Sequence, residues 1–482
     1  MGEIVPLSLG LRSNAARNRQ AGAATLTNCF AEEQGEDGKS SWLIYATEGL
    51  REFSPSASGA ARELLAVGDV LYAVLGPSVV TFDAAGNQTF IGNVDPAGSI
   101  YMRSNRADPV QVGIVVAPTG ATGTFYVVVS GVLSQVTDED LDPPLCLSWH
   151  DGYGILPVSG GRYMLTGLDD FETVDALDEG VCESKPDDLV RSEALGRQVV
   201  FFGTTSIEFH ANTGDADFPY ERQEAIGIGC LAPRSVCFVE SPDIETLIWV
   251  APDHTVRRLS GYSGTVISSN EVSAAIKTLA EAGRASELRA TAWASAGRFF
   301  YALSCADWTK VYDGKTGFWH DRKSYGLNRW RVSEVTRFGN KIIAGDYVNG
   351  ALYEMSDSYF DEAGDYLVKE IITPHVHAFP HAVQFHALYL DIVLGVGLNS
   401  SDVHAAHPKV LIDWSDDGGT SWSVPREKPL GAQSQVSQRV VVRRLGTCGP
   451  KGRLFRFRIS APVETLVMSA AVDMEILQAA HA

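Results

Sequence analysis

The chain has 482 residues, 45% of them apolar, with 46 Gly and 21 Pro. That is too long for one ordinary compact domain, and the turn formers favour many short strands over long helices. A net charge of −20, from 59 acidic against 39 basic side chains, excludes the profile of a tight nucleic-acid binder; it suits a soluble surface past which phosphate slides without adhering.

The first 54 residues read as an N-terminal arm carrying the first strands. No secretory leader is expected, because Glu3 precedes any apolar run, and Pro6 breaks a myristoylation signal. Seven Cys lie scattered at 29, 146, 182, 230, 237, 305 and 448 without a CxxC pair, so reduced thiols are expected rather than a zinc ribbon or disulfide scaffold.

From about residue 55 one unit recurs: an apolar, β-branched strand, a Gly/Asn/Asp turn, and another strand. The lead strands begin near 71, 112, 153, 198, 247, 298 and 341, at spacings of 41 to 51 residues. A four-stranded propeller blade occupies about 40 to 50 residues, and radial closure removes the exposed edges that so many strands create. The pattern predicts an all-β fold: a β-propeller of about seven blades over 55–369, six being the alternative count. Stacked sandwiches would give similar strand density without the period. The longest apolar runs, such as Tyr126–Val129, are strand-sized, so no membrane anchor is expected.

One helix interrupts the series. Ser269 and Asn270 cap it, and Val272, Ile276 and Leu279 recur at helical spacing. It reads as a packing helix on a blade.

After about residue 370 the character changes, and a smaller β-sandwich-like domain is expected over 370–482. Gly395–Ser401 reads as a loop. Ser415, Asp417, Gly419 and Trp422 match the Asp-box pattern, Ser-x-Asp-x-Gly-x-x-Trp. In such a hairpin the carboxylate accepts backbone N–H groups, the Gly takes positive φ, and the Trp packs beneath. The motif is a structural staple that also occurs in sialidases.

No GxSxG elbow, P-loop, HExxH or EF-hand loop is present, and no carboxylate pair stands out for glycoside hydrolysis. His375, His377, His381 and His386 form the densest His group, but no thiol or carboxylate accompanies them closely. No catalytic, cofactor-binding or metal-binding residue is assigned. Charge is uneven. Residues 169–188 hold nine acidic side chains and the single Lys185, whereas 436–458 hold only basic ones. Arg443, Arg444, Arg453, Arg456 and Arg458 are expected to form a basic docking strand for an acidic partner surface, a solvated face being the plainer reading.

Residues 199–230 carry a recognisable text. It runs through Phe201–Phe209 with Glu208, then Asn212 and Gly214, then Phe218, Pro219 and Arg222, then Gly229–Ala232. Together with Asn28–Glu32, Thr47–Leu50, Thr137–Asp140, Asp187–Val190, Tyr312–Trp319 and the stretch from Trp414 to Phe457, it resembles the packaged-DNA-stabilisation, or tail-hub, proteins of short-tailed bacteriophages. The resemblance covers most of the chain in order.

The resemblance implies a non-enzymatic virion tail protein, made in the host cytoplasm. It implies a ring of copies, generally a hexamer, distal to the portal and its adaptor protein. Such a ring retains packaged DNA, lets it pass through the lumen without specific binding, and contacts the tail needle or plug and the tailspikes or fibres. No cofactor is implied. Two other classes compete: an Asp-box glycan hydrolase, and a glycan- or receptor-binding tail propeller. A hydrolase requires a pocket with two carboxylates of split pKa, a binder an aromatic-lined pocket, and a hub a wide intersubunit face.

Overall fold

The seven apolar runs that open each repeat are second strands: Val70–Leu75, Gln111–Ala117, Tyr153–Val158, Gln198–Gly203, Ile244–Val250, Arg298–Ser304 and Lys341–Asp346. In a computed structural model, which describes residues 2–35, 39–55, 58–118, 122–215, 217–241 and 244–477, each lies in a run of four antiparallel strands; six of these runs are separate sheets, and that of Arg298–Ser304 continues into a nine-stranded sheet. Residues 478–482, the end of the expected C-terminal domain, lie outside that range.

The second strands are apolar along their central residues because both their faces are covered there. A separate buried cluster sits between each pair of neighbouring blades. Val74, Ile100 and Ile114 join the first two; Leu64, Phe82 and Ile343 join the seventh to the first. Burial on two faces removes the alternation seen in a half-exposed strand. The first strands of successive blades stand side by side around the axis. The propeller therefore has seven blades, as the period implies.

Closure is not sequential. The seventh blade takes three strands from Val332–Phe338, Lys341–Asp346 and Leu352–Ser356, and its fourth from Gly49–Ser54. Leu50 opposes Met355 across this seam and is fully buried. Ring closure thus rests on a strand about 300 residues distant in sequence from its partner.

The remaining strands form a two-sheet sandwich. One sheet runs Cys29–Glu33, Trp42–Ala46, Leu466–Leu477, Ala382–Ile392, Val440–Cys448, with Glu3–Pro6 also paired to Leu466–Leu477. The other runs Thr25–Thr27, Lys369–Ile372, Leu454–Ile459, Lys409–Ser415, Arg426–Pro429. Leu26, Ile44, Val383, Phe385, Phe457 and Val472 fill the space between them. The segment read as an arm therefore supplies strands to both domains. In chain order the propeller is an insertion within the sandwich.

The two domains also share a sheet. Thr27 pairs in parallel with Asp321, on the outer strand Phe318–Asp321 of the sixth blade. The helix Asn270–Glu281 reinforces this junction. Ser269 caps it through the Val272 N–H, and Val272, Ile276 and Leu279 are buried as their spacing predicts. From its outer face Glu271 accepts the Ala15 N–H at 2.8 Å and Lys310 Nζ at 2.7 Å, and Lys310 also reaches Asp321 at 2.8 Å.

Candidate functional site

The axis of the propeller is occupied by charge. A short turn, Pro233–Ser235, enters the fifth blade and aims Arg234 across the centre. Its guanidinium reaches Glu63 at 2.7 Å in the first blade, the Ile100 carbonyl at 2.5 Å in the second, and Glu334 at 2.8 Å in the seventh. Arg289 of the sixth blade also binds Glu334 and the Arg62 carbonyl. A second group adjoins the first: Glu193 accepts from Arg103 at 2.5 Å and Arg191 at 2.8 Å. The Tyr101 ring faces both Arg191 and Arg234.

Burial alone would lower the Arg234 pKa, but Glu63 and Glu334 outweigh it and hold the charge. Burial would raise that of Glu193, but Arg103 and Arg191 bring it below the usual carboxylate range. Glu193, Arg191 and Glu334 are buried and the others are mostly covered, so each needs its partners. The centre of the chain is a clasp of ion pairs, with side chains from most of the blades. Sequence reasoning missed it. A faint signal exists: the third residue of three inner strands is charged, namely Glu63, Arg191 and Glu334.

The Asp-box hairpin forms as its residues require. Asp417 accepts the Thr420 and Ser421 N–H groups, each at 2.9 Å, and the Ser421 hydroxyl at 2.5 Å. The Ser421 bonds above all hold its carboxyl well below the usual range. Ser415 accepts the Gly419 N–H at 2.8 Å, and Gly419 takes φ +88°. Trp422 packs on Ala23, Ile372 and Leu454, and its other face meets Arg456 at 3.9 Å. The hairpin fastens the sandwich edge to the N-terminal segment.

The basic strand divides in two. Arg453 is buried and binds Asp416 through two nitrogens, at 2.6 and 2.8 Å. Arg456 and Arg458 both bind the buried Asp413, at 2.6 and 3.0 Å, and Arg456 also approaches Glu370 at 3.8 Å. The carboxylates for these three side chains thus come from this chain itself: the buried Asp413 on the neighbouring strand and the exposed Asp416 in the turn that follows it. Arg443 and Arg444 lie on the other sheet and are exposed. Within 169–188, Glu172, Asp175 and Glu183 are exposed, whereas Asp187 turns inward to Thr204 and Ser206.

The segment around Asn212 is a stapled hairpin. Asn212 accepts the Gly214 N–H at 2.9 Å, Gly214 has φ +71°, and the Pro219 carbonyl accepts the Thr213 N–H at 2.7 Å. Phe218 packs against the Tyr163 ring. Arg222 is exposed and stands 4.0 Å from Glu208. Glu208 itself is buried beside His210 and Cys182. The His375 group does not converge: His386 meets Glu475 at 3.5 Å, while His375 and His377 line a separate shallow cleft.

Two larger clefts bear on catalysis. One, of about 720 Å³ and lined by Phe238, Glu240, Trp293 and Arg337, contains a single carboxylate among the described residues. The other, of about 630 Å³, contains Glu32, Glu48, Asp357 and Glu464. Arg298 already holds Glu32 at 2.6 Å, and Arg322 holds Glu48 at 3.3 Å.

Known proteins supply the last comparison. A family model described as bacteriophage P22 Gp10, beta-propeller, matches residues 5–359, and one described as bacteriophage P22 Gp10, beta-sandwich, matches 369–475. No curated protein matches the sequence. Among solved structures the chain is similar to the computationally designed Ika8 protein, at 12% identity and TM-score 0.37, over 63% of this chain and 99% of that one. It is also similar to the WD40 beta propeller domain of Doa1, at 9% identity and TM-score 0.42, over 64% and 97%. The two family models together span nearly all of both domains, and the chain belongs to the bacteriophage P22 Gp10 family, the tail-hub and DNA-stabilisation proteins of short-tailed phages.

Proposed function

We propose that this chain is a non-enzymatic subunit of the virion tail hub, made in the host cytoplasm. Copies close into a ring, a hexamer by the family reading. The ring extends the portal channel, helps retain packaged DNA, and anchors the adaptor, needle and spike proteins.

One observation carries the reading: Arg234, Glu63, Glu334, Arg289 and Glu193 fill the propeller axis. No duplex can thread a single chain there, so a conduit has to lie between copies. A ring of copies uses heterologous contacts, in which two different faces of each subunit meet. The −20 charge would make the passage repel phosphate and so let DNA move without adhering. The shared sheet at Thr27 and Asp321 supports the mechanical role, since it fixes the sandwich against the sixth blade.

Native mass spectrometry of the purified protein, alone and with a portal–adaptor complex, tests this. The expected species is a closed ring of one stoichiometry that docks on the adaptor. A chain that remains monomeric with and without the adaptor, or one that turns over a glycan, would overturn it.

A further inference from the structure

Glu208 and His210 alternate on the strand Ile207–Asn212, so both side chains leave the same face of the fourth blade. That face meets the third blade, where Cys182 directly follows the long outer strand Asp170–Val181. His210 Nε2 lies 3.0 Å from Glu208 Oε2 and 3.8 Å from Cys182 Sγ, and the three ligand atoms all fall within 4.8 Å of one another. Each residue is less than a tenth exposed. Among the described residues, no other group of His, Cys and carboxylate side chains converges in this way.

We propose that Cys182, Glu208 and His210 bind a divalent transition-metal ion of the zinc type, clamping the third blade to the fourth. The spacing suits it. Tetrahedral zinc, with bonds of about 2.0–2.3 Å to N, O and S, sets its ligand atoms about 3.4–3.6 Å apart. The His210–Glu208 and His210–Cys182 separations, 3.0 and 3.8 Å, lie within a few tenths of an ångström of that spacing. The ligand set is selective, since thiolate with imidazole favours zinc over magnesium or calcium.

The surroundings are those of a supported site. Tyr163 Oη sits 3.0 Å from His210 Nδ1 and fixes the imidazole so that Nε2 faces the other two ligands. The Ser184 N–H occupies Glu208 Oε1 at 2.6 Å, which leaves Oε2 for the ion. Thiolate and carboxylate together cancel the ion's two charges, and the fourth position falls to water. Binding displaces the Cys182 thiol proton into solvent, and His210 coordinates through Nε2 with its one proton on Nδ1, donated to Tyr163 Oη; affinity therefore rises with pH. The role is structural. The two blades are joined there by an interior of Ile155, Leu165, Val199 and Phe201, and the ion would add a bond of fixed geometry beside it.

Titration of the full-length protein with Co²⁺, followed by Zn²⁺, tests the site. One equivalent of Co²⁺ should bind with a thiolate-to-cobalt charge-transfer absorption that Zn²⁺ then bleaches. Zn²⁺ should also raise the thermal midpoint. The Cys182→Ser and His210→Gln variants should lose the absorption, and Cys237→Ser, in the fifth blade, should keep it. X-ray absorption on the zinc-loaded wild type should show one sulfur among N/O neighbours, and this reading does not depend on any variant folding. No charge-transfer absorption at excess Co²⁺, an absorption that survives Cys182→Ser, or a zinc shell without sulfur would each overturn the assignment. The trio would then be a Tyr–His–Glu hydrogen-bond chain beside a buried thiol.

Discussion

Arg234 and Glu334 are 2.8 Å apart at the propeller axis, although one precedes the fifth blade and the other belongs to the seventh. Their pairing, with Glu63 at 2.7 Å on the same nitrogen, connects blades that share no sheet.

Removing the cation should be costly. Arg234→Met keeps much of the volume but leaves Glu63 and Glu334 buried with only Arg289 to share, at a cost of about 3–5 kcal/mol. Urea unfolding checks this. Arg284→Ala, which removes a surface cation paired with Glu287 and Asp307, should leave the midpoint unchanged. Equal midpoints for the two variants would mean that the axis is held by packing alone.

Ring closure should depend on Leu50. Leu50→Ala leaves a void against Trp293, Tyr353 and Met355 and is expected to lower stability by about 2–5 kcal/mol. The first sign should be faster hydrogen exchange in Leu352–Ser356, the strand that Gly49–Ser54 covers. Protection unchanged in that strand would show that the seam is not where the ring opens.

Acid sensitivity should trace partly to His320. Burial above all, then Arg322, pushes its pKa down to about 3, so it stays neutral in the folded chain. The unfolded chain takes up the proton near pH 6.5, so stability falls as pH drops from about 6.5 towards 3. The contribution is about 2 kcal/mol between pH 7 and pH 5, at roughly 1.4 kcal/mol per pH unit. His320→Phe keeps a ring beside Phe30 and Phe300 and should lose that part of the slope in denaturation at the two pH values. Parallel slopes in wild type and variant would remove His320 from the account.

The two halves of the basic strand should separate by readout. Arg456→Ala deprives the buried Asp413 of its closer partner and should destabilise the chain by about 1.5–3 kcal/mol. Arg443→Glu lies at an exposed position and should spare stability; if that face meets a neighbouring subunit, it should weaken assembly most at low salt. Assembly of Arg443→Glu that matches wild type at every ionic strength would free this surface of any docking role.

Much of the fold was legible because the second strands of the blades are largely apolar and covered on both faces. Gln111–Ala117, with six of its seven residues buried, stands out in any window. Outer strands do not: in Gln88–Asn93 every residue is at least partly exposed, and nothing marks it as a strand. The N-terminal strands were read as an arm because Glu3–Pro6, Thr25–Thr27 and Gly49–Ser54 find their partners hundreds of residues away; Glu3 pairs with Met474. No local pattern encodes such a pairing. At the sites, the Asp-box hairpin was legible because all its bonds fall within eight residues. The axial clasp was not, since Arg234 finds Glu63 and Glu334 only after the ring has formed. The counter-charges of Arg453, Arg456 and Arg458 were not legible for the same reason: Asp416 and Asp413 sit outside the window that showed only cations.

The insertion of the propeller within the sandwich has a consequence during synthesis. The ribosome releases Glu3–Pro6 and Trp42–Ala46 long before Leu466–Leu477 exists to receive them. The nascent chain can complete most of its blades first, but the sandwich must wait for the last residues to emerge. A truncated translation product that stops short of Leu466–Leu477 therefore lacks a finished sandwich, although its blades can already be closed.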